Sequence, residues 1–142
     1  EAKQRPKFSI NAKFSLPFII GLVFAKGRVI IEDFLPENLS DPKVLEIVDK
    51  VKYKFDPQLK GSISPGVVEV KTKSGKSLLK REDIPYGHPK NQMGDEELIA
   101  KFKNCARFAK RKMSQKKIDD LAKKILELEN VKNMKEITQM LT

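Results

Sequence analysis

Ten consecutive residues, Leu16 to Ala25, carry no charged or hydrogen-bonding side chain. A helix of that composition has no polar face to offer water, so it must be buried on most of its sides. The run is about half of what a membrane span needs, so the burial must come from protein rather than lipid. The pattern predicts a helix over residues 11–26. Asn11 or Ser15 would cap it, and Pro17 is tolerated only in its first turn. Gly27 stands where a left-handed residue ends a helix.

A chain of 142 residues has room for one domain with a helical appendage. Its single cysteine, Cys105, excludes an internal disulfide framework, and the start Glu-Ala-Lys-Gln-Arg-Pro lacks the apolar stretch of a secretory signal. Both point to a cytoplasmic setting with no membrane partner. The net charge of +10 raises a nucleic-acid module, centred on the basic region Lys110–Lys124, as the alternative function, beside a non-catalytic interaction domain. Two features weigh against nucleic acid. Of the 29 basic residues only Arg5, Arg28, Arg81, Arg107 and Arg111 are arginine, the usual reader of base edges. The lysines are also interleaved with Asp and Glu on helical faces rather than with aromatic residues.

Asp41-Pro42 is an N-cap followed by proline at the first helical position. It starts a helix carrying Val44, Leu45, Ile47, Val48 and Val51 on one face and ending near Lys50–Lys52. Residues 51–55 alternate apolar and basic side chains, as in a half-buried strand closed by Asp56-Pro57. Val68, Val70 and Thr72 alternate with Glu69, Lys71 and Lys73. Ser74-Gly75 then turns the chain into Lys76–Arg81, predicting a hairpin with Leu79 pointing inward. Residues 82–94 read as a loop. Asp95 would cap a helix with Leu98, Phe102, Cys105 and Ala109 on its apolar stripe, making Cys105 a small buried hydrophobe. Ser114 starts a further helix, and Asn133 with Glu136 has capping-box spacing before a last one. The fold class is therefore α+β: a small antiparallel sheet packed against two helices, followed by C-terminal helices. The division falls between residues 1–112, the α+β domain, and 113–142, the C-terminal helices.

Little in the composition supports self-contained chemistry. One histidine and one cysteine cannot build a zinc site, and carboxylate-only sites lack a spacing cue, so no metal is assigned. There is no Gly-x-Gly-x-x-Gly, no phosphate-cradling loop and no Gly-x-Ser-x-Gly elbow, so no cofactor is assigned either. Two residues remain as weak catalytic or substrate-binding candidates. His88, between Gly87 and Pro89, would titrate near neutrality as an acid, base or carboxylate binder. Its alternative is a structural histidine in a tight turn. Lys13, at the start of the apolar helix, would sit badly against the helix dipole, which hints at a carboxylate partner. Tyr53 and Tyr86 have no basic neighbour to activate them.

The loop-to-helix stretch Tyr86-Gly87-His88-Pro89 through Asp95-Glu96-Glu97-Leu98 and Lys101-Phe102 follows the earlier segment Asn11-Ala12-Lys13-Phe14-Ser15-Leu16-Pro17-Phe18. In this order, with Arg5-Pro6, Asp41-Pro42, the Ser-Gly hairpin and Leu126-Glu127-Leu128-Glu129, they resemble the C-terminal domain of the MmgE/PrpD family. No single motif is specific, but the ordered set is. The family usually reads Gly-Asp-Pro where this chain has Gly87-His88-Pro89, so His88 is a departure from the pattern.

That resemblance implies a lid-type α+β domain over 1–112, and helices over 113–142 that would pack on a larger helical domain. The helical domain, which supplies most catalytic residues in the family, would precede Glu1 or be encoded separately. The implied chemistry is 2-methylcitrate dehydratase-like: a cofactor-free lyase acting on a small di- or tricarboxylate, with this chain inactive alone. The basic-aromatic-serine segment around Lys13 would lie close to the domain interface. The implied partners are the helical domain, the carboxylate substrate of the complete enzyme, and a second copy in a homo-oligomer.

Overall fold

The computed structural model describes residues 4–59 and 65–141. The chain divides into two compact units, one from Glu1–Lys54 with Phe102–Thr142 and one from Phe55–Lys101.

In the first unit the predicted helix over 11–26 is two helices, α1 (Ser9–Lys13) and α2 (Leu16–Lys26). Ser15 separates them, and its hydroxyl accepts the Phe18 amide at 3.1 Å. That hydrogen bond satisfies an amide donor at the new helix end, and Pro17 falls in the first turn, where its missing N–H costs nothing. Of the two candidate caps, Ser15 is therefore the one used for α2. Gly27 closes it at φ +70°, as predicted. Two short 3-10 turns, 31–34 and 36–38, lead to α3 (Pro42–Val48), where the Asp41 carboxylate accepts the Lys43 amide at 3.0 Å. Phe18 and Leu22 of α2 pack with Ala12, Leu39, Val44 and Val48 into a closed core, flanked by Phe34 and Leu45. The Phe18 and Phe34 rings meet at 6.4 Å in a tilted pair.

Of the N-terminal tail, residues 4 onward are described. Arg5 hydrogen-bonds and ion-pairs with Asp49 just past α3, the Gln4 amide reaches Val51 O at 3.4 Å, and Pro6 is buried. The tail is thus tied to the end of α3. The strand predicted at 51–55 does not form. Residues 52–55 are irregular and Tyr53 and Phe55 are exposed, since alternation alone supplies no neighbouring strand.

The second unit holds the predicted hairpin, β1 (Gly66–Lys71) and β2 (Ser77–Glu82), antiparallel across a turn in which Gly75 takes φ +84°. The register pairs Val70 with Leu78 and Glu69 with Leu79. Leu78, not Leu79, therefore shares a face with Val68 and Val70, and Leu79 is 71% exposed. Both faces lie open: Val70 alone among the strand residues is half-buried. The class is α+β: among the described residues there are a two-stranded antiparallel sheet and six helices, but no strand residue gains the full burial expected of an inner face.

α4 (Asp95–Arg107) begins one residue earlier than a cap at Asp95 requires. Asp95, Glu96 and Glu97 occupy its first turn, where carboxylates suit the helix dipole. On α4 Cys105 is exposed, and its neighbour Ala106 takes the buried position expected for it. α5 (Gln115–Leu126) is capped by Ser114, which accepts the Lys117 amide at 3.2 Å. α6 (Lys135–Leu141) packs on α5, with Ile118, Leu121, Ala122 and Ile137 buried and Lys124 paired to Glu136. Glu136 is thereby diverted from the capping box. Asn133 instead accepts the Lys135 amide at 3.0 Å.

Candidate functional site

Residues 84–94 fold as two interlocked turns. The His88 amide donates to Pro85 O at 3.1 Å and the Asn91 amide to His88 O at 2.7 Å. The Gly87 amide donates to Asn91 O at 2.8 Å. Gly87 carries φ +91°, a left-handed conformation that disfavours any side chain. The Asn91 side-chain amide adds a bond to Ile84 O at 2.9 Å. The loop is therefore a rigid platform built by its own backbone, as its Pro, Gly and Asn content predicts.

His88 is half-buried on this platform, and its Nδ1 accepts the Lys90 amide at 3.1 Å. With Nδ1 engaged as an acceptor, Nε2 is the ring nitrogen left to donate. The ring is both the structural histidine of a tight turn and an oriented donor. Beside it Gly87, Pro89, Gln92, Met93, Asp95 and Leu98 line an open concavity of about 350 Å³. Met93 and Leu98 give the lining its apolar side chains, and Asp95, in the acidic first turn of α4, lines it as well.

Tyr86 donates its hydroxyl to the Glu97 carboxylate, which also accepts the Gly94 amide at 3.3 Å. The hydrogen bond to Glu97 holds the phenol above its ordinary pKa, the opposite of activation. This pair ties the loop to α4 and was not legible from spacing, since its members lie eleven positions apart, one in the loop and one on the helix.

Lys13 lies elsewhere than predicted along its helix. Because the chain breaks at Ser15, it sits in the last turn of α1, exposed, where a cation is favoured by the dipole. The cost that pointed to a carboxylate partner does not arise. Lys13 belongs to the first unit and His88 to the second. In the Lys110-Arg111-Lys112 run, Lys112 Nζ donates to Arg107 O at 3.0 Å, a cation closing the end of α4.

Two polar clusters in the first unit escaped the sequence reading. Asp33 is buried, accepting the Ile30 amide at 2.8 Å and Lys26 Nζ at 3.0 Å, while Lys26 also lies 3.4 Å from Asp41. Glu32 accepts Asn104 Nδ2 on both oxygens, at 3.1 and 3.0 Å, with Arg107 at 3.5 Å. The Asn104 bond is the main reason its carboxyl is held below the ordinary range. Among the described residues no group of three or more His, Cys, Asp or Glu side chains is placed to hold a metal ion. No described helix is long and apolar enough to cross a membrane.

The family model for the MmgE/PrpD C-terminal domain matches residues 1–128. The chain belongs to the MmgE/PrpD family. Its similarity to human cis-aconitate decarboxylase is 24% identity over 133 residues, covering 92% of this chain and 27% of that protein. To the mouse cis-aconitate decarboxylase it is 22% over 138 residues, 96% of this chain and 28% of that protein. The chain thus spans little more than a quarter of the length of these relatives. The α4 loop platform, the hairpin and the α2–α3 core all lie within the MmgE/PrpD match, whereas α6 lies beyond it.

Proposed function

We propose that this chain is the lid-type C-terminal domain of a cofactor-free MmgE/PrpD lyase acting on a di- or tricarboxylate, and that it is inactive alone. The observation that carries the reading is the match over residues 1–128, set against relatives of which the chain covers little more than a quarter. The relatives' activity, decarboxylation of cis-aconitate, makes that acid the first substrate to try, with 2-methylcitrate the second.

In such chemistry a base handles a proton α to one carboxylate while cationic and N–H donors hold the others. His88 contributes the donor. Its Nε2–H is oriented by the Lys90 amide at Nδ1, and a substrate carboxylate would dock there rather than against the acidic start of α4. Lys13 is left to contact substrate or the neighbouring domain. A helical domain, in the same polypeptide or encoded separately, supplies the remaining groups and receives the helices from residue 113 onward.

The test is to express the chain alone and together with a helical MmgE/PrpD N-terminal half from the same source, then follow loss of cis-aconitate and 2-methylcitrate. Turnover is expected only from the pair. His88→Ala should lower its kcat/KM by roughly tenfold or more, as when a positioned donor is lost. Turnover by the isolated chain, or a pair that is active and indifferent to His88, overturns the assignment.

A further inference from the structure

Two large apolar side chains, Met93 and Leu98, line the concavity beside His88, and Leu98 is 43% exposed. A bound apolar group would take that surface out of water. The concavity holds about 350 Å³, near the lower end for small-molecule sites, which are mostly apolar with a few placed polar groups. A methyl group needs little more than a water molecule's share of roughly 30 Å³, so it would leave most of that space empty. From this room and lining we infer that the concavity is the subsite for an unbranched alkyl arm of about two to four carbons on the substrate carboxylate. Such a subsite rests on the lyase reading above and narrows its substrates to alkyl-extended polycarboxylates.

Charge and position set which arm enters. Asp95 lines the same concavity, and among the described residues no cation is paired with it. A carboxylate arm would meet that like charge while losing its own hydration, whereas an alkyl arm has neither cost. Gln92 adds only a neutral amide. His88, the donor assigned to a substrate carboxylate, stands in the chain between Gly87 and Pro89, both of them lining residues. A carboxylate at Nε2 and an uncharged arm on a neighbouring carbon thus meet adjacent parts of one loop. A methyl group built on Gly87 would lie 3.8 Å from Met93 Sδ, so the thioether reaches the backbone of that loop. Its unbranched, soft side chain can shift to fit arms of different length.

The probes are succinate, methylsuccinate, butylsuccinate and tricarballylate, the last being succinate with a charged arm. Each is titrated into the full chain, alone and with the helical half, while the Met93 methyl resonance, assigned by its loss in Met93→Leu, is followed. Affinity should rise about threefold for each added CH₂, and tricarballylate should bind more weakly than methylsuccinate. Leu98→Ala should cut the preference for butyl over methyl by at least about threefold. Asp95→Asn should strengthen tricarballylate binding by about threefold, as a like charge is removed. Binding indifferent to the alkyl arm, or a Met93 signal that the acids do not move, overturns the subsite even where the pair turns over cis-aconitate. So does a Met93 signal moved by the helical half alone and unresponsive to added acid, which would give the concavity to a protein side chain. Alkyl-graded binding by a chain whose pair stays inactive would instead overturn the lyase reading and support the subsite.

Discussion

A methyl group built on Gly21 would lie 2.7 Å from Val48 Cγ2, 3.1 Å from Val44 O and 3.2 Å from Val44 Cγ1. The backbone oxygen cannot move aside without shifting α3, so glycine here is what lets the two helices touch. Gly21→Ala should therefore destabilise the first unit by about 1–3 kcal/mol, overpacking outweighing the roughly 1 kcal/mol gain in helix propensity. The midpoint of urea unfolding checks it, and a stabilised variant would show that α2 and α3 are not in contact in solution. The Lys26–Asp33–Asp41 cluster makes a second prediction. At Lys26 partial burial pushes the ammonium down, but the hydrogen bond and charge of Asp33, then those of Asp41, outweigh it and raise the group above 10.5. At Asp41 partial burial pushes the carboxyl up, but the Lys43 amide and Lys26 outweigh it and hold the group below 3.8. The Asp41 contribution is present above the unfolded value and lost as pH falls through the lower folded one. That of Lys26 is present below its unfolded value and lost as pH rises through the higher folded one. Stability should thus be flat between these limits and fall outside them, and Asp41→Asn should blunt the acid side. Thermal unfolding across pH measures both.

At the scale of elements, the break between α1 and α2 depends on Ser15, a buried hydroxyl holding the Phe18 amide. Ser15→Ala should cost about 1 kcal/mol of stability, the usual worth of an N-cap. An unchanged urea midpoint would mean the break is imposed by packing instead. Much at this level was legible beforehand. Ser114, Asp41 and Gly27 act through short-range geometry written in their own side chains, and each stands where spacing placed it. The hairpin turn was legible for the same reason, because Gly75 needs only its immediate neighbours. Its facing was not, since a two-residue turn and a longer one differ in which of Leu78 and Leu79 meets Val70. Strand 51–55 failed because a strand is a pairing, and alternation describes only one member of it.

For the molecule as a whole, the +10 charge invites contact with polyanions. Any binding to duplex DNA should be weak, fall steeply with salt and ignore sequence, because it would rest on lysine–phosphate attraction. Titration of two unrelated duplexes at two salt concentrations checks this. Tight, sequence-selective binding at physiological salt would instead make the chain a nucleic-acid module. The family, the α+β class and the place of the hairpin and the later helices were readable from the chain, since apolar runs, caps and punctuating prolines and glycines act locally. Tertiary structure alone decided that Lys13 ends a helix rather than starting one, that Cys105 faces solvent, and that Asp33 is buried beneath Lys26. It alone oriented His88 through Lys90 and tied Tyr86 to Glu97. Each of these depends on which side of an element meets another. That is a choice made by packing area and by the partners available for buried polar groups, and no stretch of sequence carries it in isolation.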